Sequence, residues 1–290
     1  MKSWCLILLI TCFLFSCSGS KNVISETKTS QKQATSDTIS TTTKEVIKMT
    51  DSLYVPDSEE EIKVLSEPIL ELEPKLNRFK HDRFNKLLKK HVSKIGNVNY
   101  EAIKSDWDEL QTYIAELGKN IPKADWSKNQ KLAYWINAYN AMTIDLILRH
   151  YPLKGIKDIK NPWKQRYWKL GEKWYNLDEI EHQILRKMDE PRIHFAIVCA
   201  SFSCPKLQNA AFTASDLEIQ LTEVTKAFLS DLERNSISEN SLELSKIFQW
   251  FGKDFKQNGS LIDFLNQYTD IQISDKAKIS FKDYNWDLNE

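Results

Sequence analysis

Residues 127–150 read SKNQKLAYWINAYNAMTIDLILRH, the longest helical pattern in the chain. Apolar side chains occur on most sides of this segment: Leu132, Ala133, Tyr134, Trp135, Ile136, Ala138, Tyr139, Ala141, Met142, Ile144, Leu146 and Ile147. A helix that is apolar nearly all round is buried in a core, and Pro152 stops it from continuing. The segment therefore predicts a central helix, around which the other elements pack.

The elements around this helix are shorter. Helices are predicted at residues 74–91, 105–117, 178–188, 214–234, 246–256 and 260–268, with Asp178 and Thr213 as caps. Strands are predicted at residues 167–170, 173–177, 192–199, 236–238, 242–244 and 278–281. The segment at 192–199 is apolar enough to be a central strand. Because helices dominate, the sequence predicts an α+β fold: one helix-rich domain with a small, mostly antiparallel sheet.

The N-terminus is typical of an exported protein. Lys2 precedes an apolar run at residues 4–15, too short for a membrane span, which needs roughly 20 apolar residues. The stretch Leu14-Phe15-Ser16-Cys17 resembles the lipobox of bacterial lipoproteins, in which the cysteine is acylated. We therefore expect a signal peptide at residues 1–16 and a lipid anchor on Cys17 that binds the membrane. Ser18 favours the outer membrane, facing the periplasm. The alternative is an ordinary secretory signal with an incidental cysteine.

A linker is predicted between the anchor and the folded domain. In residues 25–43, 11 of 19 side chains are Ser or Thr, which cannot bury enough apolar surface to offset the entropy of ordering. We therefore assign residues 17–73 to the lipidated cysteine and a disordered linker, and residues 74–290 to a single domain. Lys plus Arg and Asp plus Glu both number 40, so nothing in the charge suggests a nucleic-acid partner.

Two cysteines remain in the domain, Cys199 and Cys204. Their C-x4-C spacing is neither the redox C-x-x-C motif nor a convincing zinc knuckle, so no metal and no cofactor are predicted. In an oxidising compartment the two could form a disulfide, although a domain of this size does not need one to fold.

Cys199 is the predicted nucleophile. It ends the apolar segment at 192–199 and is followed by a loop containing Ser201, and such loops often present site residues. A cysteine nucleophile needs a nearby base, usually histidine. In a regular strand His194 and Cys199 point to opposite faces. We therefore expect His182, beside Glu181, to be the base, and His194 to be structural or orienting. The alternative is that Cys199 is a buried small hydrophobe and His182 is structural.

Asn137 and Asn140 share one face of the central helix. Two amides in an apolar helix need hydrogen-bond partners. They predict either a buried amide network that braces a loop or a substrate-orienting, oxyanion-type donor pair.

Four co-linear segments resemble the hallmark blocks of the domain-of-unknown-function family 547. They are YWINAYNA at 134–141, IEHQILR at 180–186, HFAIVCASFSCP at 194–205 and YNWDLN at 284–289. The resemblance implies that Cys199, His182 and His194 occupy hallmark positions. It also implies that Cys204 is replaced by Ser in some members, which argues against an obligatory disulfide. A papain-like fold is a further expectation, by analogy with thiol hydrolases.

Two functions fit these patterns. The first is a cell-envelope hydrolase or acyl transferase in which Cys199 attacks an amide or ester carbonyl, His182 is the base, and Glu181 or a central-helix asparagine orients it. The second is a non-catalytic envelope module that binds a protein or other partner or acts as a scaffold. Redox and metal-dependent roles are further alternatives.

Overall fold

The computed structural model describes residues 79–290, so the predicted signal peptide, Cys17 and the linker to residue 73 lie outside the described residues. The helices in this part of the chain are α1 (Asp82–His91), α2 (Tyr100–Ile103), α3 (Trp107–Lys119), α4 (Lys128–His150), α5 (Leu177–Glu179), α6 (Ile193–Ala196), α7 (Leu217–Leu229), α8 (Lys246–Trp250) and α9 (Leu261–Asn266). The strands are β1 (Trp168–Leu170), β2 (Lys173–Tyr175), β3 (Ser236–Ile237), β4 (Ser241–Leu244) and β5 (Lys278–Phe281).

Helix α4 is the centre of the fold, as predicted. It begins with a capping box: the Ser127 hydroxyl accepts a hydrogen bond from the Gln130 amide nitrogen, and the Gln130 side chain accepts one from Ser127. Every residue from 132 to 148 is buried. Helix α3 packs along α4, and so does the segment that follows α5. Within residues 79–290, no helix is long and apolar enough to span a membrane.

The strands form two small sheets where one was expected. Strands β1 and β2 form an antiparallel hairpin, whose turn places Gly171 at a positive φ of 57°. In the second sheet β4 lies between an antiparallel β3 and a parallel β5. The domain is therefore helix-rich α+β with mostly antiparallel strand pairs.

The prediction of a central strand at 192–199 is wrong. Its first half forms the helical turn α6, in which the amide of Ile197 donates to the carbonyl of Ile193. The second half is extended, but the amide of Val198 donates to the side chain of Asn140 at 3.0 Å and not to a neighbouring strand. Periodicity cannot distinguish a short apolar run in a strand from a buried helical turn. The alternation that placed His194 and Cys199 on opposite faces therefore does not apply.

The helix predicted at 178–188 changes its winding twice. Its cap is Asn176, not Asp178: the Asn176 Oδ1 accepts a hydrogen bond from the amide of Glu179 at 2.8 Å. After α5 the chain makes a π turn at Ile180–Ile184 and then a 3₁₀ turn at Leu185–Met188. Single π turns inside helices frequently occur at functional sites, and this one carries Glu181 and His182.

Two further element boundaries differ from the prediction. Helix α7 begins at Leu217, because the Thr213 hydroxyl accepts from the amide of Asp216 and so stabilises a turn before the helix. The helix predicted at 246–256 is interrupted between α8 and a 3₁₀ turn at Asp254–Lys256. This interruption matters for the site, because Asp254 contacts His194.

Candidate functional site

The predicted thiol and both predicted histidines line a single pocket of about 640 Å³. Several of the polar side chains on its wall come from α4, the π turn, α6, the loop after α6 and the C-terminal segment: Tyr139, Glu181, His182, His194, Cys199, Cys204 and Tyr284. Ser201 lies next to the pocket and hydrogen-bonds to Cys199. Asn137 and Asn140 are not part of the wall.

The Cys199 thiol is partly exposed and has three polar neighbours. Its Sγ lies 2.9 Å from Cys204 Sγ, 3.0 Å from Ser201 Oγ and 3.3 Å from the Tyr284 hydroxyl oxygen. The hydrogen bond with Cys204, together with those with Ser201 and Tyr284, lowers the pKa of Cys199 to about 7 against the opposing effect of burial. Burial raises the pKa of Cys204 well above its ordinary value. Cys199 is therefore the thiol that ionises near neutral pH.

The backbone around Cys199 is tightly constrained. Ala200 has a φ of 57°, in the left-handed region that residues with a Cβ rarely adopt. Asn140 clamps the preceding segment: its Nδ2 donates to the carbonyl of Ala196 at 2.9 Å, while its Oδ1 accepts from Val198. Strained residues held by surrounding contacts cluster at active sites. The position of the thiol is therefore fixed by the fold.

Asn137 forms the same kind of clamp on the loop before α7. Its amide donates to the carbonyl of Phe212 at 2.8 Å and accepts from the amide of Phe212 at 3.0 Å. These contacts, like those of Asn140, match the loop-bracing interpretation of the two asparagines. Each side-chain amide is buried and engaged at both its donor and its acceptor.

The C-terminal segment straps the loop that carries the two cysteines. The amide of Phe202 donates to the carbonyl of Asp287 at 2.7 Å, and the amide of Asn289 donates to the carbonyl of Ala200 at 3.2 Å. This strap brings the Tyr284 hydroxyl to the thiol. From the sequence, Tyr284 was part of a family-like segment but was not predicted as a site residue. Nothing local links it to a cysteine 85 positions earlier.

His182 does not hydrogen-bond to the thiol. Its Nδ1 accepts from Arg186 Nη1 at 3.0 Å, and its Nε2 lies 3.8 Å from Asp178 Oδ1. Across residues 79–290, the hydrogen bonds of Cys199 Sγ include none to an imidazole. The predicted Cys199–His182 pair is therefore not formed as a direct hydrogen bond.

Glu181 is buried beside His182 and faces Tyr139. Its Oε2 accepts a hydrogen bond from the Tyr139 hydroxyl at 3.0 Å. Burial raises the pKa of this carboxyl, against the opposing effects of His182 and Tyr139. No hydrogen bond joins Glu181 to an imidazole in the described part of the chain, so its contacts differ from those of a residue that orients His182.

His194 lines the same pocket, which corrects its predicted placement on the far face. Its Nε2 lies 2.9 Å from Asp254 Oδ2, and its ring stacks on Phe251 with the centroids 4.0 Å apart. Burial lowers the pKa of His194, although Asp254 opposes this effect, and the lowered pKa favours the neutral imidazole. With Nε2–H donating to the carboxylate, the basic nitrogen of the ring is Nδ1.

Asp254 is itself held in place by Arg186. The guanidinium makes a two-pronged contact, with Nε 2.6 Å from Oδ2 and Nη2 2.8 Å from Oδ1. Burial alone would raise the pKa of Asp254, but the hydrogen bonds from Arg186 and His194 outweigh it and hold that pKa well below its usual value. An ionised carboxylate that orients a neutral histidine is the base–orienter arrangement of catalytic triads. Sequence reasoning missed it because the two residues are 60 positions apart.

The outer wall of the pocket is aromatic. Trp250, Tyr284 and Trp286 form a contiguous cluster, with the centroids of Tyr284 and Trp286 4.5 Å apart. Trp250 is 46% exposed. The Lys157 ammonium lies 3.9 Å from the ring centroid of Trp286. A wall of this kind suits the apolar part of a small ligand.

Residues 79–290 contain no group of three or more His, Cys, Asp or Glu side chains arranged to hold a metal ion.

Comparison with known families matches residues 123–229 to a family described as "Protein of unknown function, DUF547". The chain thus carries a DUF547 domain at these residues. The matched range includes α4, His182, His194 and both cysteines, whereas Asp254 and Tyr284 lie beyond it. No curated protein and no solved structure matches the chain.

Proposed function

We propose that the domain is a cysteine-dependent hydrolase or acyl transferase of the cell envelope, with Cys199 as the nucleophile. One observation carries this proposal: a partly exposed thiol, with hydrogen-bonding neighbours that stabilise its anion, shares a pocket with two imidazoles. Reactive cysteines occupy such partly exposed sites with a stabilised thiolate, whereas structural buried cysteines are inert. No solved structure matches the chain, so the proposal rests on the geometry of the pocket around Cys199 and not on the papain-like analogy.

The reaction has two steps. The imidazole takes the proton of the Cys199 thiol as the sulfur attacks the carbonyl carbon of an ester or amide, and the resulting imidazolium gives that proton to the leaving oxygen or nitrogen. Water or another acceptor then attacks the resulting thioester, gives its proton to the imidazole, and releases the thiolate.

His194 fits the acid–base role better than His182. Asp254 fixes the His194 ring by accepting from Nε2, which leaves Nδ1 for proton transfer. The Nδ1 of His182 already accepts from Arg186. We therefore assign proton transfer to His194 and a positioning role to His182, which reverses the assignment made from the sequence.

Variants of the full chain test these roles. Turnover of a panel of p-nitrophenyl esters, acyl thioesters and peptide anilides should fall at least about a thousandfold in Cys199→Ala. Loss of a proton-transferring side chain costs about 10²–10⁴-fold, so His194→Gln should lower kcat by that amount, and more than His182→Gln does. His150→Gln, an exposed histidine at the end of α4, is the matched control.

The outcomes separate the assignments. A Cys199→Ala protein that unfolds at the same temperature as wild type and retains its turnover would end the hydrolase proposal. A larger kcat loss in His182→Gln than in His194→Gln would restore the first assignment. Thermal unfolding of each variant distinguishes a lost proton transfer from lost folding.

A non-catalytic binding module is the second candidate. It is favoured by the lack of a hydrogen bond between Cys199 and an imidazole in the described residues, together with the aromatic wall. Under this alternative, Trp250→Ala would weaken ligand binding, and Cys199→Ala would leave binding unchanged.

We also propose that the protein is a lipoprotein of the bacterial envelope, anchored through Cys17 and facing the periplasm from the outer membrane. The support is the lipobox-like stretch before Cys17 and the Ser/Thr-rich segment after it. Cys17→Ala should move the protein from the membrane fraction to the soluble fraction, because the acyl chains supply the anchor. Fractionation with immunoblotting measures this, with Cys12→Ala as the control. A Cys17→Ala protein that stays on the membrane after signal cleavage would refute the anchor.

A further inference from the structure

The two thiols of the domain lie side by side although they are not bonded to each other. Both are free cysteines, and their sulfur atoms are 2.9 Å apart. The residues between them form a short turn, in which the amide of Cys204 donates to the carbonyl of Ser201 at 3.0 Å. The amide of Cys199 donates to Cys204 Sγ at 2.9 Å, which fixes the second sulfur beneath the first.

The two thiols differ in access. Cys199 is partly exposed on the pocket, whereas Cys204 is buried, with 4% of its surface exposed. Their pKa values move in opposite directions, lower for Cys199 and higher for Cys204. In thiol–disulfide exchange the reachable, more acidic thiol attacks first. This pair therefore contains one attacking thiol and one sheltered thiol behind it.

The turn is held before any bond forms. The C-terminal strap pairs with it through Phe202 and Ala200, and Asn285 accepts from the amide of Ser203 at 3.2 Å. Groups that the fold already holds in contact react with a high effective concentration, because little chain entropy is lost on reaction. Formation of a bond between the sulfurs therefore requires little rearrangement of the loop.

We propose that Cys199 and Cys204 form a reversible dithiol–disulfide couple that reduces low-molecular-weight organic disulfides, with Cys199 as the attacking thiol and Cys204 as the resolving thiol. The pocket of about 640 Å³ accommodates a small disulfide beside Cys199, whereas Cys204, on the same wall, is buried. This activity goes beyond acyl transfer and does not depend on it.

The exchange is balanced in electrons and protons. The Cys199 thiolate attacks one sulfur of a disulfide RSSR, forming a mixed disulfide and expelling RS⁻, which takes up a proton. Cys204 then loses its proton to solvent and its sulfur attacks the Cys199 sulfur, which forms the internal disulfide and releases the second thiol. Two electrons pass from the protein to RSSR, and two molecules of a thiol RSH return them.

Oxidised glutathione tests this sequence on the reduced full chain carrying Cys5→Ser, Cys12→Ser and Cys17→Ser, so that Cys199 and Cys204 are its remaining thiols. This background serves as the wild type of the test. Wild type should release two glutathione molecules per protein and lose both free thiols, and excess reduced glutathione should restore them. Cys204→Ser should stop after one glutathione and accumulate the mixed disulfide on residue 199. Cys199→Ser should release none at a measurable rate. Mass spectrometry and thiol titration give these counts.

Several results would overturn the couple. They are a wild-type protein that stops at the mixed disulfide, one that forms only intermolecular disulfides, and one whose thiols stay unreacted. The wild-type stoichiometry decides the matter even if a variant does not fold. The glutathione assay contains no acyl substrate, so its result does not depend on whether the domain is a hydrolase. Likewise, failure of the disulfide exchange would not contradict the hydrolase proposal.

Discussion

Alkylation of Cys199 by iodoacetamide in the native protein should follow a single ionisation with a midpoint near pH 7. The hydrogen bonds with Cys204, Ser201 and Tyr284 place the pKa of this thiol at about 7 instead of 9.0. The lowered pKa favours the thiolate, so reactivity rises as the pH passes upward through 7 and is lost below it. Peptide mapping after alkylation at each pH measures the profile. Cys204 should stay unmodified because it is buried and its pKa is raised.

The pH midpoint of alkylation reports the activation of Cys199 more clearly than the alkylation rate does. At pH 7 a pKa of 7 gives roughly 50 times more thiolate than a pKa of 9, but the more acidic thiolate is intrinsically a weaker nucleophile, which leaves a rate advantage of only about sixfold. The effect of removing one hydroxyl group should therefore be measured as a shift in the pH profile of alkylation. Tyr284→Phe or Ser201→Ala should each raise the midpoint by about one pH unit, because a hydrogen bond to a charged group contributes about 1.5 kcal/mol.

Tyr151→Phe is the matched control for Tyr284→Phe. Its hydroxyl contacts Glu290 and not the thiol, so its removal should leave the midpoint unchanged. A midpoint of 8.5 or above in wild type, or alkylation only after unfolding, would show that Cys199 is not activated. In that case the binding module would become the better account of the domain.

Asp145→Ala should destabilise the domain by about 3–5 kcal/mol, the largest effect expected of any single substitution outside the pocket. This carboxylate is 0% exposed in the middle of α4. It accepts hydrogen bonds at 2.7 Å from the indole nitrogens of Trp107 and Trp168 and from Arg149 Nε, and it also accepts from Gln111. Alanine would leave the Trp168 indole nitrogen buried without its acceptor and the arginine without its counter-ion.

Urea unfolding measures this cost. Asp145→Asn keeps the volume and one acceptor oxygen, so it should cost less than alanine does. Asp108→Ala, on the exposed face of α3, is the matched control and should stay within about 0.5 kcal/mol of wild type. A cost below about 1 kcal/mol for Asp145→Ala would mean that the network of donors contributes little.

The central helix could be predicted from the sequence because its own residues show that it is buried. Continuous apolar character over many turns has few structural solutions, and α4 matches the prediction to within one residue at its start. The segment at 192–199 could not be assigned in the same way, since a short, mostly apolar segment fits a strand or a helical turn equally well. The error in that element carried over to His194, because its placement rested on strand alternation.

The candidate site residues could be predicted from the sequence, but the hydrogen bonds between them and their partners could not. Cys199, His182 and His194 could be chosen as candidates by residue type and resemblance, and they do share a pocket. The partners that give them their chemistry, Asp254 and Tyr284, lie on segments far away in sequence. A single aspartate within an apolar helix, such as Asp145, likewise carries no local sign of the donors that surround it.

The π turn at Ile180–Ile184 has a consequence for how this site can vary among relatives. Ile180 and Leu185 are both buried, yet residues five apart on a regular α-helix point about 140° away from each other. The wide turn absorbs one extra residue, which lets both side chains face the core while Glu181 and His182 face the pocket. Deleting that residue would keep a helix but rotate one flank by about 100°. The length of this segment, more than the identity of its residues, would then separate relatives that share the pocket from relatives that share only the fold.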